Sequence, residues 1–173
     1  MQLALVQETP SAPGFRLQTA FQPARQTGGK FFQFLPTSDA AVLVVVGDVG
    51  GKGPNAPMLV SVANMASDKP AGVLHHLNCS IMGNTRGAFT TCRCALLRPD
   101  GHAVIANAGQ IAPYLGTNPV ELESGLPLVI RSDLEYAEAT FQLGEQTLTF
   151  LSDGIVEAPS TASGNNPGIT KHR

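Results

Sequence analysis

Apolar and polar residues alternate through much of this chain, and the alternation predicts short strands more often than helices. Residues 15–23 (FRLQTAFQP) alternate apolar and polar residues. KFFQFL (Lys30–Leu35) and AVLVVVGD (Ala41–Asp48) follow, separated by PTSDA, whose residue types predict the turn of a hairpin. AFTTCRCALLR (88–98) comes next, then AVIANAG (103–109) after the turn Pro99-Asp100-Gly101, then PYLG (113–116). EYAEATFQL (135–143) and QTLTFLSDG (146–154) flank a turn at Gly144-Glu145. This spacing suits an antiparallel meander. Helical periodicity is confined to the middle. Met58, Leu59, Val62, Met65 and Ala66 share a stripe after Pro54, a residue suited to a first helical turn. A second helix is predicted from Pro70, with Asp68 as its cap and Val73, Leu74, Leu77 and Ile81 facing inward. Strands, two helices, then strands is an α+β order.

The 173 residues suit one domain with a sizeable core. Lys and Arg number 11 against 13 Asp and Glu, a net charge of -2, and no basic stripe interrupts the chain. Nucleic acid and anionic membranes are therefore poor partners. No apolar run approaches the ~20 residues of a membrane span, and the start lacks a basic, then apolar, leader. The expectation is a cytoplasmic protein. Cys79, Cys92 and Cys94 have no framework spacing and read as reduced thiols, with Cys92 and Cys94 on one strand face.

The densest candidate chemistry is VLVVVGDVGGKG (Val42–Gly53). A valine-rich strand is a rigid support, and Asp48 stands at its exit, where a carboxylate is unusual unless paired or bound to a cation. The glycines after it let main-chain groups approach a ligand. Hard dications such as Mg²⁺ take a few carboxylates, sometimes a carbonyl, and several waters. A turn aspartate, or a cap for the Pro54 helix, accounts for the same residues. A phosphate-binding P-loop does not: Gly53 and Pro54 follow Lys52, where Ser or Thr is required. TFLSDGIVEA (149–158) repeats the grammar, delivering Asp153-Gly154 from a strand end, although a plain turn reads equally well. In QTGGKFF (26–32) a Gly-Gly pair permits close packing and holds Lys30 near a strand start; a solvated edge lysine is the simpler alternative. His75 and His76 are adjacent and diverge on a helix, so they make no metal pair. His102 and His172 read as surface residues.

These segments together resemble the metal-dependent protein phosphatases (PPM, or type 2C), in their SpoIIE/RsbU-like bacterial branch. The matching stretches are FQPARQTGGKFF, LVVVGDVGGKGPNAPMLVSVANMA, HHLNCSIM, AFTTCRCALLRPDGHAVIANAG and LTFLSDGIVEA. The resemblance implies a sandwich of two antiparallel β-sheets flanked by helices, here lacking the last family strand. It implies a phosphatase domain over 15–158, an N-terminal extension over 1–14 and a flexible tail over 159–173. It implies Mn²⁺ or Mg²⁺ ions that activate water against phosphoserine or phosphothreonine. By position, Asp48 and the Val49 carbonyl would bind metal, and Asp153 would bind a second ion.

The departures are as informative. Where the branch usually reads G-G-D-F-Y-D, this chain has GGKFFQ, so Lys30 replaces a metal-binding aspartate and Gln33 a second acid. Gln110 stands where a histidine usually follows NAG, and the late Asp-Asp motif is missing. Lys30 paired with Asp48 would fill one metal position, leaving one or two ions at most. Two readings stand: a signalling phosphatase with an incomplete site and weak activity, or a non-catalytic relative that binds a phosphoprotein or regulatory partner. A missing last strand would leave a sheet edge that favours a homodimer or a strand partner.

Overall fold

The β-branched and aromatic runs form strands, and among the described residues these build two antiparallel sheets, with a helix on the outer face of the larger. The computed structural model describes residues 12–19, 29–50, 69–82 and 89–152. In chain order the elements are β1 (Phe31–Pro36), β2 (Val42–Val49), α1 (Pro70–Ile81), β3 (Thr90–Leu97), β4 (His102–Ala108), β5 (Tyr114–Leu115), β6 (Asn118–Pro119), β7 (Glu138–Gln142) and β8 (Leu148–Thr149). The larger sheet has the order β1-β2-β3-β4-β7 and the smaller one β6-β5-β8. The β1–β2 hairpin has the expected place, with Phe31 opposite Gly47 and Pro36 opposite Val42. Its loop closes as the Thr37 N–H and hydroxyl both donate to the Ala41 carbonyl at 2.9 Å.

Period-two alternation divides the larger sheet into two apolar faces. Leu43, Val45, Cys92, Cys94, Leu96 and Ala106 face α1, where Val73, Leu74, Leu77 and Ile81 meet them as the helical stripe predicted. The opposite face carries Val42, Val44, Ala95, Leu97 and Ile105, covered by Leu115, Leu148 and Phe150 from the smaller sheet and its exit. Cys92 and Cys94 are both buried and unbridged, and Cys79 is exposed.

Three expectations are corrected. The alternating stretch 15–23 is not a strand over its described part: a turn joins Ala12 and Phe15 in an isolated bridge, and 16–19 is irregular. Alternation alone does not make a strand without a neighbour to share its hydrogen bonds. The N-cap of α1 is Lys69, not Asp68, and its side chain makes no cap bond. The first-turn Ala71 N–H instead donates to Glu138 Oε1 of β7 at 2.9 Å, so a distant strand caps the helix. QTLTFLSDG is regular only over Leu148–Thr149. The predicted helix over 54–66, Asp153 and the tail over 159–173 lie outside the described residues. Among the described residues, no helix is long and apolar enough to cross a membrane.

Candidate functional site

The hairpin register brings two of the singled-out residues together. Phe31 lies opposite Gly47, so the next position sets Lys30 against Asp48, both on the face that carries Phe34 and Val44. Lys30 Nζ donates to Asp48 Oδ2 at 2.8 Å. The two side chains are 28% and 22% exposed, which shields the pair more than a surface ion pair without sealing it from water.

The glycines flanking this pair bring the chains close. At Gly47 a Cβ would collide with the Phe31 ring, which lies across β2. At Gly29 a Cβ would stand 2.5 Å from the Val49 carbonyl oxygen, and the Val49 N–H donates to the Gly29 carbonyl at 3.3 Å. The Val49 carbonyl is thus packed against residue 29, and the Val49 side chain is buried in the α1-side core.

The next strands tie Gln110, the residue that follows NAG, to Thr91, which motif matching does not reveal. Thr91 of β3 is the register partner of Asp48. Gln110 Nε2 donates to Thr91 Oγ1 at 2.8 Å. Gln110 is itself fixed by Asn107: its N–H donates to Asn107 Oδ1 at 3.1 Å, and Asn107 Nδ2 donates back to its carbonyl at 2.8 Å. Gly109 makes this turn possible at φ +75°, with Pro127 packed where a Cβ would go.

Arg93 is the second such residue. It pairs in register with Val46 and with Asn107, which places it on the same inner face as Asp48 and Thr91. It is 1% exposed, and its guanidinium carbon lies 5.5 Å from the Phe150 ring centroid. Among the described residues, Nε, Nη1 and Nη2 meet no hydrogen-bond acceptor. Burial lowers its pKa to about 10, so it stays charged at neutral pH. Its signal in the sequence is a lone charge in an otherwise uncharged strand, TTCRCALL.

A dication centre needs several converging oxygen donors. Among the described residues, no three His, Cys, Asp or Glu side chains converge on one point. Asp48 Oδ2 is engaged by an ammonium. Lys30 and Arg93 against Asp48 leave the group a formal charge of +1. The described residues alone therefore do not fit a two-ion centre. Asp153 lies outside them.

Two antiparallel sheets, with a helix on the outer face of the larger, define a PP2C-like phosphatase fold, and solved structures share it. A bacterial serine phosphatase aligns over 70% of this chain and 70% of its own, with a TM-score of 0.57 and 13% identity. The S. agalactiae serine/threonine phosphatase aligns over 73% of each chain, with a TM-score of 0.54 and 12% identity. At these identities the likeness establishes the fold alone. Sequence goes further: residues 38–168 match the family described as Stage II sporulation protein E (SpoIIE), and the chain belongs to that family. Among curated proteins no match is found.

Proposed function

We propose that this chain is a SpoIIE/RsbU-like protein phosphatase domain, directed at phosphoserine or phosphothreonine in a bacterial regulatory protein, with an incomplete metal site and slow turnover. The observation that carries the reading is the Lys30–Asp48 ion pair at 2.8 Å. In the family pattern Asp48 is a metal ligand and position 30 belongs to an aspartate. Here an ammonium occupies the carboxylate that a cation would need. Even at the dielectric constant of water, a unit charge about 4 Å from a dication costs it about 2 kcal/mol. Asp48, the Val49 carbonyl and Asp153 are the groups that would hold any Mn²⁺ or Mg²⁺ retained, and such an ion would supply water activation and charge neutralisation. Lys30 orients Asp48 and supplies fixed positive charge beside it.

The same ion pair favours a second reading, in which the domain (residues 15–158) binds a phosphorylated partner without hydrolysing it, acting in the cytoplasm alone or as a homodimer. Mn²⁺ titration by calorimetry, with hydrolysis of a phosphoserine peptide, tests the site. Wild type is expected to bind Mn²⁺ weakly and turn over slowly. Lys30→Asp reverses the charge and is expected to gain about 4 kcal/mol, or about 10³-fold, in Mn²⁺ affinity. Tight two-ion binding with rapid turnover by the wild type refutes the proposal.

A further inference from the structure

We infer that Arg93 forms the centre of a metal-independent site for a tetrahedral oxyanion, the phosphoryl group of a phosphorylated protein. The inference rests on the reading of a phosphoprotein partner and adds the group that would grip the phosphate.

The starting point is an enclosed charge. The Arg93 guanidinium is buried, and none of its nitrogens finds an acceptor among the described residues. A buried cation is ordinarily paired, because removing it from water is costly. The described acids with assigned contacts are engaged elsewhere. Asp48 serves Lys30, and Glu138 serves the Ala71 N–H. Asp39 accepts from Arg98, and Asp133 accepts from Arg131. A partner from outside these residues must have the shape that a planar fork of N–H groups accepts, and phosphate or carboxylate fits it best.

The surroundings select phosphate. The Phe150 ring covers the guanidinium at cation–π distance, leaving the in-plane N–H groups as its hydrogen-bonding edge. Thr91, on the same face, accepts from Gln110, so its own O–H is left to donate. Lys30 stands two strands away, paired with Asp48, so among the described residues Arg93 carries the net positive charge that attracts an anion and repels a dication. Phe150 is only partly buried and is the side chain that must shift to admit a phosphoryl group. The step is binding alone, with no bond made or broken.

The test is thermal unfolding of the full chain in EDTA, with inorganic phosphate or phosphoserine as the probe. At a concentration about 100 times Kd, wild type is expected to gain about 5–10 °C in Tm. Arg93→Met keeps the side-chain bulk and removes the charge. It is expected to melt higher than wild type without phosphate and to show no phosphate response. If that variant does not fold, Arg93→Lys carries the test, with about 10-fold weaker phosphate affinity expected from the loss of the bidentate fork. No response in wild type, a full response in Arg93→Met, undiminished affinity in Arg93→Lys, or an equal response to chloride at matched ionic strength each overturns the inference. Rapid metal-dependent hydrolysis alongside a phosphate response in EDTA removes the slow-turnover reading and leaves Arg93 its role. Slow hydrolysis with no phosphate response does the reverse.

Discussion

Asn78→Ala is expected to loosen the loop that closes one end of the larger sheet. Asn78 is fully buried on α1, with Nδ2 donating to the Arg131 carbonyl and Oδ1 accepting from the Val129 N–H, both at 2.7 Å. Val129 has φ +74°, a conformation that costs a β-branched residue about 1–3 kcal/mol and persists only when neighbours enforce it. Leu128, just before it, is fully buried and donates its N–H to the Thr90 carbonyl at 2.8 Å. Truncation strands the half-buried Val129 N–H at about 1–2 kcal/mol, while the carbonyl of exposed Arg131 finds water and costs little. The cavity adds about 1 kcal/mol. A loss of about 2–3 kcal/mol in urea unfolding is expected, or about 5–10 °C in Tm. Asn78→Asp should lose as much, because it keeps the acceptor, drops the donor and buries a charge. A change below about 0.5 kcal/mol in Asn78→Ala would show that the clamp does not hold the loop, since that is the scale of an ordinary surface substitution.

Two further outcomes follow from groups already placed. Glu138→Ala removes the carboxylate that meets the Ala71 N–H, in a helix whose own first turn has no acid. It is expected to cost about 0.5–1 kcal/mol in urea unfolding, less in high salt, with Glu138→Gln intermediate. Tyr136 is buried, its hydroxyl meets no partner among the described residues, and burial raises its pKa above the ordinary 10.0. The unfolded chain therefore releases this proton first, and the folded state loses stability as pH rises past about 10. Tyr136→Phe is expected to match or exceed wild-type stability at pH 7 and to flatten that alkaline loss, as read by urea unfolding at the two pH values.

Where order is local, the sequence announces it. The β1–β2 hairpin, the turn before β4 and the buried stripe of α1 follow from alternation, turn residues and 3.6-residue spacing. The Lys30–Asp48 pair is legible through the family resemblance, which sets Lys30 at a metal-ligand position; the residues alone do not give it, because their meeting depends on a hairpin register set by the whole ladder. What stayed hidden is non-local. The cap of α1 comes from β7, 67 residues away in sequence. Val129 holds its backbone angle beside Asn78, 51 residues distant. Arg93 is a lone charge within TTCRCALL, but its significance depends on what surrounds it, and no spacing rule states that.

The cysteines give the molecule a clock. Cys92 and Cys94 sit on the α1 face of β3, the middle strand of five, both with no exposure, while Cys79 is open to solvent on α1. Burial also raises the Cys94 thiol pKa, which withholds the reactive thiolate. An alkylating reagent should mark exposed Cys79 first. The strand pair can react only when β3 parts from α1, an opening that dismantles the core. Mass spectrometry of the labelled chain would thus show one adduct early and the other two arriving together, at a rate that reports how often the whole sheet comes apart.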